Sequence, residues 1–336
     1  MHLVKLSGTY YEMGYEYGKV NKARLFLPDA DARDRKYASK CKEHVTEYIP
    51  SILEEVQGIA DSTDINFELL ITYLLYIPSS AEWFFQSNLQ GCTIFAVSGD
   101  ETVDGFPLYA RNYDWEYEKQ DQLGLFHIQP KGKLESIGFA DHMSGRYGGV
   151  NKAGLAAGIT IMPYYDRKLQ PGVPAWIATR WIIDTFKTTG DAVKFLETIP
   201  HCEGYQFVLA DKEGDIAKVE VAPEEVNTLP AGDGFTVATN HFQSEKMSQY
   251  SCEITDEIAG TTFTRLQKVN DWFEVNKGRI DLDSVKSVLS DHENGVCDHQ
   301  EWGGTIWSWI ALLGTGKVEV CAGSPCTHEY EEYRLE

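Results

Sequence analysis

Gly91-Cys92-Thr93-Ile94-Phe95-Ala96-Val97-Ser98, the turn residues Gly99-Asp100 through Asp104-Gly105, and Pro107-Leu108-Tyr109-Ala110-Arg111-Asn112 form the stretch whose reading decides the fold. Two apolar runs rich in β-branched and aromatic residues flank a cluster of turn formers, the pattern of a β-hairpin. The Cys92 thiol opens the first strand, directly after the least hindered residue available. A hairpin turning between Gly99 and Gly105 pairs positions that sum to about 204, which sets Cys92 opposite Asn112 with Arg111 and Asp114 as its neighbours. An arginine beside a thiol favours the thiolate, and a carboxylate beside an amine keeps that amine oriented. Taken singly, a cysteine opening an apolar strand is commonly core, and an Arg–Asp pair is as readily a surface ion pair. Here the two meet on one hairpin.

Upstream the texture is helical. Tyr37, Cys41, Val45, Tyr48, Ile52, Val56 and Ile59 recur at intervals of three or four, which predicts one or two amphipathic helices with a break near Pro50. Asp64 is placed to cap a further helix through Phe67, Leu70 and Leu74 that ends before Pro78. Downstream, hairpins are expected for Tyr147 to Val150 with Leu155 to Ile161, Tyr205 to Ala210 with Ile216 to Val221, and Thr305 to Leu313 with Lys317 to Ala322. Helical stretches near Ala175 to Thr188, Asp191 to Thr198, Thr262 to Val275 and Leu282 to Ser290 interrupt them. Hairpins separated by blocks of helix predict antiparallel sheets with helices outside, an α+β protein. The change of texture near residue 91 divides a helical segment, 1–91, from a sheet-forming part, 92–336, with no flexible linker between them.

The chain has 336 residues, with 30 Lys and Arg against 51 Asp and Glu, a formal charge of −21. A field of that sign repels phosphate backbones and anionic headgroups, which argues against nucleic-acid and membrane-surface roles. The most apolar stretch, Leu69 to Ile77, is far shorter than the ~20 residues that span a bilayer, and no signal peptide is visible. The seven cysteines therefore read as reduced thiols of a cytoplasmic protein.

Gly91-Cys92-Thr93, Asp104-Gly105 and Arg111-Asn112-Tyr113-Asp114-Trp115 together resemble the nucleophile hairpin of the acyl-CoA:6-aminopenicillanic acid acyltransferase family, a branch of the N-terminal-nucleophile hydrolases related to choloylglycine hydrolases. The likeness extends in order through Leu6-Ser7-Gly8-Thr9-Tyr10-Tyr11-Glu12-Met13-Gly14, Asn151-Lys152-Ala153-Gly154-Leu155, Ala238-Thr239-Asn240-His241-Phe242, Thr264-Arg265-Leu266 and Ala322-Gly323-Ser324-Pro325-Cys326. It implies a four-layer αββα sandwich in which the cysteine cuts the peptide bond before it, and residues 1–91 stay bound to the new chain that begins at Cys92. A free α-amine, with an ordinary pKa of about 7.7–8.0, then accepts the thiol proton without a histidine.

The resemblance further implies that Arg111 stabilises the thiolate and Asp114 holds the amine. It makes Asn240 the side-chain oxyanion donor, with a backbone N–H around Asn151 as the second donor, and it gives Arg265 a place in the site. Read without it, Asn240 is a strand-end residue, Asn151 a turn residue and Arg265 a solvated helix charge. No cofactor is implied. The expected substrate is a small-molecule amide, hydrolysed through an S-acyl-enzyme, water being always present. Two readings stay open beside this one: an N-acyltransferase using acyl-CoA, and an inactive relative that binds an amide ligand.

His292, Cys297, His299, Cys321, Cys326 and His328 form a competing constellation, since thiols and imidazoles at short spacing bind zinc. The paired Cys-x2-Cys spacing is missing and Cys321 falls in an apolar strand, so no metal is expected. Cys41 fits the apolar stripe of a helix, whereas Cys202 and Cys252 stand in polar, loop-like contexts. Trp83-Phe84-Phe85 and Tyr164-Tyr165 are apolar walls for an acyl chain or simply core.

Overall fold

The fold is taken from a computed structural model, which describes residues 2–22, 25, 30–75, 91–141, 143–162, 168–252 and 261–335. The aromatic runs at 83–85 and 164–165 lie outside the described residues.

β1 (His2–Gly8) is followed by α1 (Tyr10–Asn21), α2 (Ala32–Tyr48), α3 (Pro50–Thr63) and α4 (Phe67–Leu75). Capping boxes start α1 at Thr9 with Glu12 and α2 at Asp31 with Asp34, and Pro50 occupies the first turn of α3. The break expected near Pro50 is therefore a helix start, where the missing N–H has no intrahelical partner to lose. Asp64 does not cap α4. It ends α3 in the left-handed region at φ 59°, and Asn66 accepts from the Leu69 N–H at 3.2 Å instead.

β2 (Cys92–Val97) and β3 (Leu108–Glu116) form the decisive hairpin, followed by β4 (Gly124–Pro130), β5 (Ser136–Ala140), β6 (Gly148–Asn151) and β7 (Ala156–Ile161). Then come α5 (Ala175–Thr185), α6 (Thr189–Thr198), β8 (Tyr205–Ala210), β9 (Ile216–Ala222), β10 (Glu225–Pro230) and β11 (Phe235–Ala238). The short α7 (Glu245–Ser248), α8 (Thr262–Asn276), α9 (Leu282–Leu289), β12 (Gly303–Leu312), β13 (Lys317–Cys321) and β14 (Tyr330–Arg334) complete the described elements.

The strands make an eight-stranded sheet, β1-β4-β5-β6-β7-β8-β9-β10, and a six-stranded sheet, β11-β2-β3-β12-β13-β14. Three apolar cores define four layers. One packs α1–α6 on the larger sheet, one lies between the sheets, and one packs α8 and α9 on the smaller sheet. The order is helix, sheet, sheet, helix. No helix among the described residues is long and apolar enough to cross a membrane.

Two expectations change. Segment 1–91 is not purely helical, because β1 joins the larger sheet as an edge strand parallel to β4. The β2–β3 register is also shifted by one, with Cys92 opposite Tyr113, Thr93 opposite Asn112 and Ile94 opposite Arg111. A one-residue slip turns every side chain to the other face. Arg111 thus shares the face of the Cys92 thiol, between the sheets.

The segment before residue 91 is tied into the remainder by a buried polar network. Arg180 of α5 donates to Glu55 of α3 at 3.0 Å and to Asp184 at 2.6 Å, and the Tyr10 hydroxyl of α1 donates to Asp184 at 2.8 Å. Burial pushes the Glu55 carboxyl up, while Arg180 and Arg146 pull it down. Helices α1 and α3 meet backbone to backbone: a Cβ on Gly14 would sit 2.0 Å from the Glu55 carbonyl oxygen. Glu55→Ala leaves the buried Arg180 paired with Asp184 but takes the partner of Nη2, and is expected to lower the unfolding free energy by about 1–3 kcal/mol in urea titrations. Glu68→Ala, which removes an exposed partner of Lys42, should leave the midpoint nearly unchanged.

Candidate active site

Cys92 is the first residue of β2, an inner strand flanked by β11 and β3. Gly91, immediately before it, has φ +90°, and a Cβ there would lie 2.2 Å from the Asn240 side-chain amide. Only glycine satisfies both the dihedral and the space. The Gly91–Cys92 peptide unit is held at both ends. The Asp114 N–H donates to the Gly91 carbonyl at 3.0 Å, and the Cys92 N–H donates to Asn240 Oδ1 at 2.8 Å.

On the thiol's face, Arg111 Nη2 donates to Cys92 Sγ at 3.1 Å and Nη1 donates to the Tyr147 carbonyl. The guanidinium lies 5.3 Å from the Tyr113 ring centre and 5.5 Å from that of Trp307, and Tyr113 stacks on Tyr147 at 5.5 Å. This aromatic seat fixes the cation in the dry space between the sheets. Burial pushes the Cys92 thiol up, Arg111 pulls it down, and Asp114 pushes it up again. Burial outweighs the arginine, so the thiol in the intact chain holds its proton above the ordinary cysteine range.

Arg265 enters from the first turn of α8, on the helical side of the smaller sheet. Its Nη1 donates to the Cys92 carbonyl and to Thr93 Oγ1 at 3.1 Å, its Nη2 to Asn240 Oδ1 at 3.0 Å, and its Nε to Thr261 Oγ1 at 2.9 Å. Arginine only donates, so the Asn240 atom facing it is the oxygen. Asn240 Nδ2 donates to the Ile161 carbonyl at 3.0 Å, and the Asn240 N–H to Thr262 Oγ1 at 2.9 Å. The amide therefore turns its acceptor, not the expected oxyanion donor, toward Cys92.

Asp114 is three residues from Arg111 and so points to the opposite face of β3. Its carboxylate accepts from Thr305 Oγ1 at 2.6 Å, while the Cys92 N–H is held by Asn240. Burial pushes the Asp114 carboxyl up to about 7, Arg265 pulls it down, and Asp298 pushes it up.

Asn151 is not brought to the site. Its N–H donates to the Leu155 carbonyl, its Nδ2 to the Ile183 and Phe186 carbonyls, and its Oδ1 accepts from Ala153 and Leu155. Gly148, three residues earlier and about 10 Å along β6, is the part of that strand that packs against Arg111. Asn151 is the turn residue of its hairpin. Cys41 is buried in α2, as its spacing implies, and Cys202 lies in the loop between α6 and β8 as expected, but buried in the apolar core rather than in a polar setting. Sequence reasoning missed Thr262, Thr305 and Asn112, which anchor Asn240, Asp114 and the α9 end of the helical layer. A hydroxyl or amide that acts by bonding a distant residue carries no local signal.

A helix–sheet–sheet–helix sandwich with a buried thiol opening an inner strand is the architecture of the N-terminal-nucleophile hydrolase fold. The chain is similar to penicillin V acylase from Agrobacterium tumefaciens at a TM-score of 0.50 and 18% identity, over 73% of this chain and 86% of that one. It is also similar to a variant of conjugated bile acid hydrolase from Clostridium perfringens, at 0.49 and 15%, over 73% and 97% of the two chains. Residues 100–327 match the family described as acyl-coenzyme A:6-aminopenicillanic acid acyl-transferase, and the chain belongs to that enzyme family. A curated relative, an uncharacterised protein of Archaeoglobus fulgidus, is 23% identical over 250 residues, 63% of this chain. The chain spans 42% of that relative's length.

An acid whose pKa is raised on folding binds an extra proton in the native state between its unfolded and folded values. Its contribution to stability is complete below the unfolded value of 3.8 and is lost as pH rises through about 7. In a Cys92→Ala background, Asp114→Asn is accordingly expected to flatten the decline in urea midpoint from pH 4 to pH 7. An unchanged slope would assign that decline to other groups.

Proposed function

We propose that this chain is a cysteine N-terminal-nucleophile amidase that cuts its own Gly91–Cys92 bond and then hydrolyses a small-molecule amide through an S-acyl-enzyme on Cys92. The observation that carries this reading is the grip on the junction: the Asp114 N–H on the Gly91 carbonyl, Asn240 on the Cys92 N–H, and Arg111 on the thiol.

In self-cleavage, Cys92 Sγ attacks the Gly91 carbonyl carbon, and the developing oxyanion lies on the Asp114 N–H. The C–N bond breaks as the thiol proton reaches the Cys92 nitrogen, leaving a thioester and an amine. Water hydrolyses the thioester, releasing a Gly91 carboxylate and a free thiol. The same nitrogen, now an α-amine held by Asn240 Oδ1, serves as the base. The buried guanidiniums of Arg111 and Arg265 disfavour its protonated form, lowering its pKa so that it stands unprotonated near neutral pH and can accept the thiol proton.

In turnover the amine takes the thiol proton and the sulfur attacks the substrate amide. The proton passes to the leaving amine, and water then removes the acyl group. Asn240 Nδ2 joins an oxyanion hole only by exchanging the Ile161 carbonyl for the substrate oxygen, and each such donor is typically worth about 3–4 kcal/mol in the transition state. Tyr113, Tyr147 and Trp115, stacked beside the thiol, are the apolar surface available to an acyl group. The acyl-transfer reading draws support from the family's name. It requires an acceptor other than water to raise product yield from an acyl-CoA donor.

The buried network of Tyr10, Glu55, Arg180 and Asp184 keeps the two pieces together after the cut. Denaturing gels of the wild-type protein should show pieces of about 10 and about 28 kDa, by proportion of 37.9 kDa, that co-elute under native conditions. Cys92→Ala should remain one inactive band. A wild-type preparation that stays uncut yet turns over amides would refute the self-processing step.

A further inference from the structure

The fold sorts the six downstream thiols and imidazoles into two sets. Cys321 lies in β13, its thiol directed at the Gly323 and His328 carbonyls, and the His328 ring sits with Thr327 and Ser324. The other four, His292, Cys297, His299 and Cys326, converge until their ligand atoms all lie within 4.8 Å of one another.

The distances within this group fit a tetrahedral ion. His299 Nε2 is 3.5 Å from Cys297 Sγ and 3.3 Å from Cys326 Sγ, and the His292 and His299 rings are 4.9 Å apart. Zinc bonds of about 2.3 Å to sulfur and about 2.05 Å to nitrogen at the tetrahedral angle place S and N about 3.6 Å apart. The local backbone explains the convergence. Cys297 lies in a bend and His299 makes an isolated bridge with Gly304, which brings the Cys297 thiol and the His299 ring together while Asp298 between them is buried. The Asp298 carboxylate accepts from the His299 N–H at 2.9 Å and from Gln300 at 3.0 Å. Cys326 arrives from the segment after β13, which is pinned by Ser324 Oγ donating to the Thr305 carbonyl at 2.7 Å. His292 comes from the turn after α9. Cys297 is buried, Cys326 half-buried, and both histidines exposed, so the site opens to solvent on its imidazole side.

We propose that His292, Cys297, His299 and Cys326 bind one structural zinc ion. Binding displaces one proton from each thiol, and the two thiolates neutralise the dication. Four protein ligands leave no open position, so the ion staples rather than catalyses. It ties the loop after α9 to the segment after β13 and holds the backbone at Asp298, whose N–H donates to Thr305 Oγ1, the hydroxyl that also supports Asp114. The missing Cys-x2-Cys spacing is no objection, because the second thiol is supplied from a separate segment.

The test is elemental analysis of protein purified without chelators, followed by titration of chelator-stripped, reduced protein with cobalt(II). The expected result is one zinc per chain in wild type and in Cys92→Ala. Cobalt should give the intense visible bands and the sulfur-to-metal charge-transfer band of a tetrahedral thiolate site. Cys326→Ser and His292→Ala should each weaken cobalt binding by more than about 100-fold, a loss beyond that of outer-shell changes. Wild-type protein without zinc and without the charge-transfer band would overturn the proposal whatever the variants do. So would an intact mass lower by two hydrogens with Cys297 joined to Cys326.

Discussion

Gly91 and Asn240 are in such close contact that no side chain fits at residue 91, and this contact organises the rest of the site. Because Gly91 takes φ +90°, the chain enters β2 with its carbonyl turned to the Asp114 N–H and the next N–H turned to Asn240. Asn240 is in turn fixed by Arg265, the Ile161 carbonyl and Thr262. A peptide unit gripped at both ends, with a thiol on the next carbon, has its entropy of alignment removed before any bond changes. The larger sheet supplies Tyr147 and Ile161, the smaller one Cys92, Arg111 and Asp114, and the outer helical layer Arg265.

The electrostatics set two buried guanidiniums, Arg111 and Arg265, against the buried carboxyls of Asp114 and Asp298. Burial dominates both titratable partners, lifting the Cys92 thiol despite Arg111 and lifting Asp114 to about 7 despite Arg265. In the intact chain, Arg111 is thus not enough to make a thiolate. Under the proposed self-cleavage, an adjacent free amine would change that balance by accepting the proton within the site.

The hairpin, the helices of the first segment and three further hairpins were legible from pattern, because alternation and helical periodicity are local. The sequence pattern alone does not predict the strands β1, β4, β5, β10 and β14. β1 is specified by its parallel partner β4, and that pairing cannot be seen from its own seven residues. A loop one residue different from the assumed count moved the register and with it the face of Arg111. The spacing of Arg111 and Asp114 nonetheless carries its own information, since an odd separation on a strand puts the two charges on opposite faces. Asn240 and Arg265 were legible as residues but not as a pair, and which amide atom faces the thiol emerges only from their contact. The cluster of His292, Cys297, His299 and Cys326 is visible as composition, but that Cys326 joins the other three from a separate segment is set by the fold and not by spacing along the chain.

The central claim is that Cys92 carries the acyl group. Its most direct test is the intact mass of the cleaved protein after brief exposure to a p-nitrophenyl ester and acid quench. The account predicts one acyl group on the piece that begins at Cys92, mapping to that residue and released by neutral hydroxylamine as a thioester is. Product formation with the acyl group on any other residue, or on none, would contradict it.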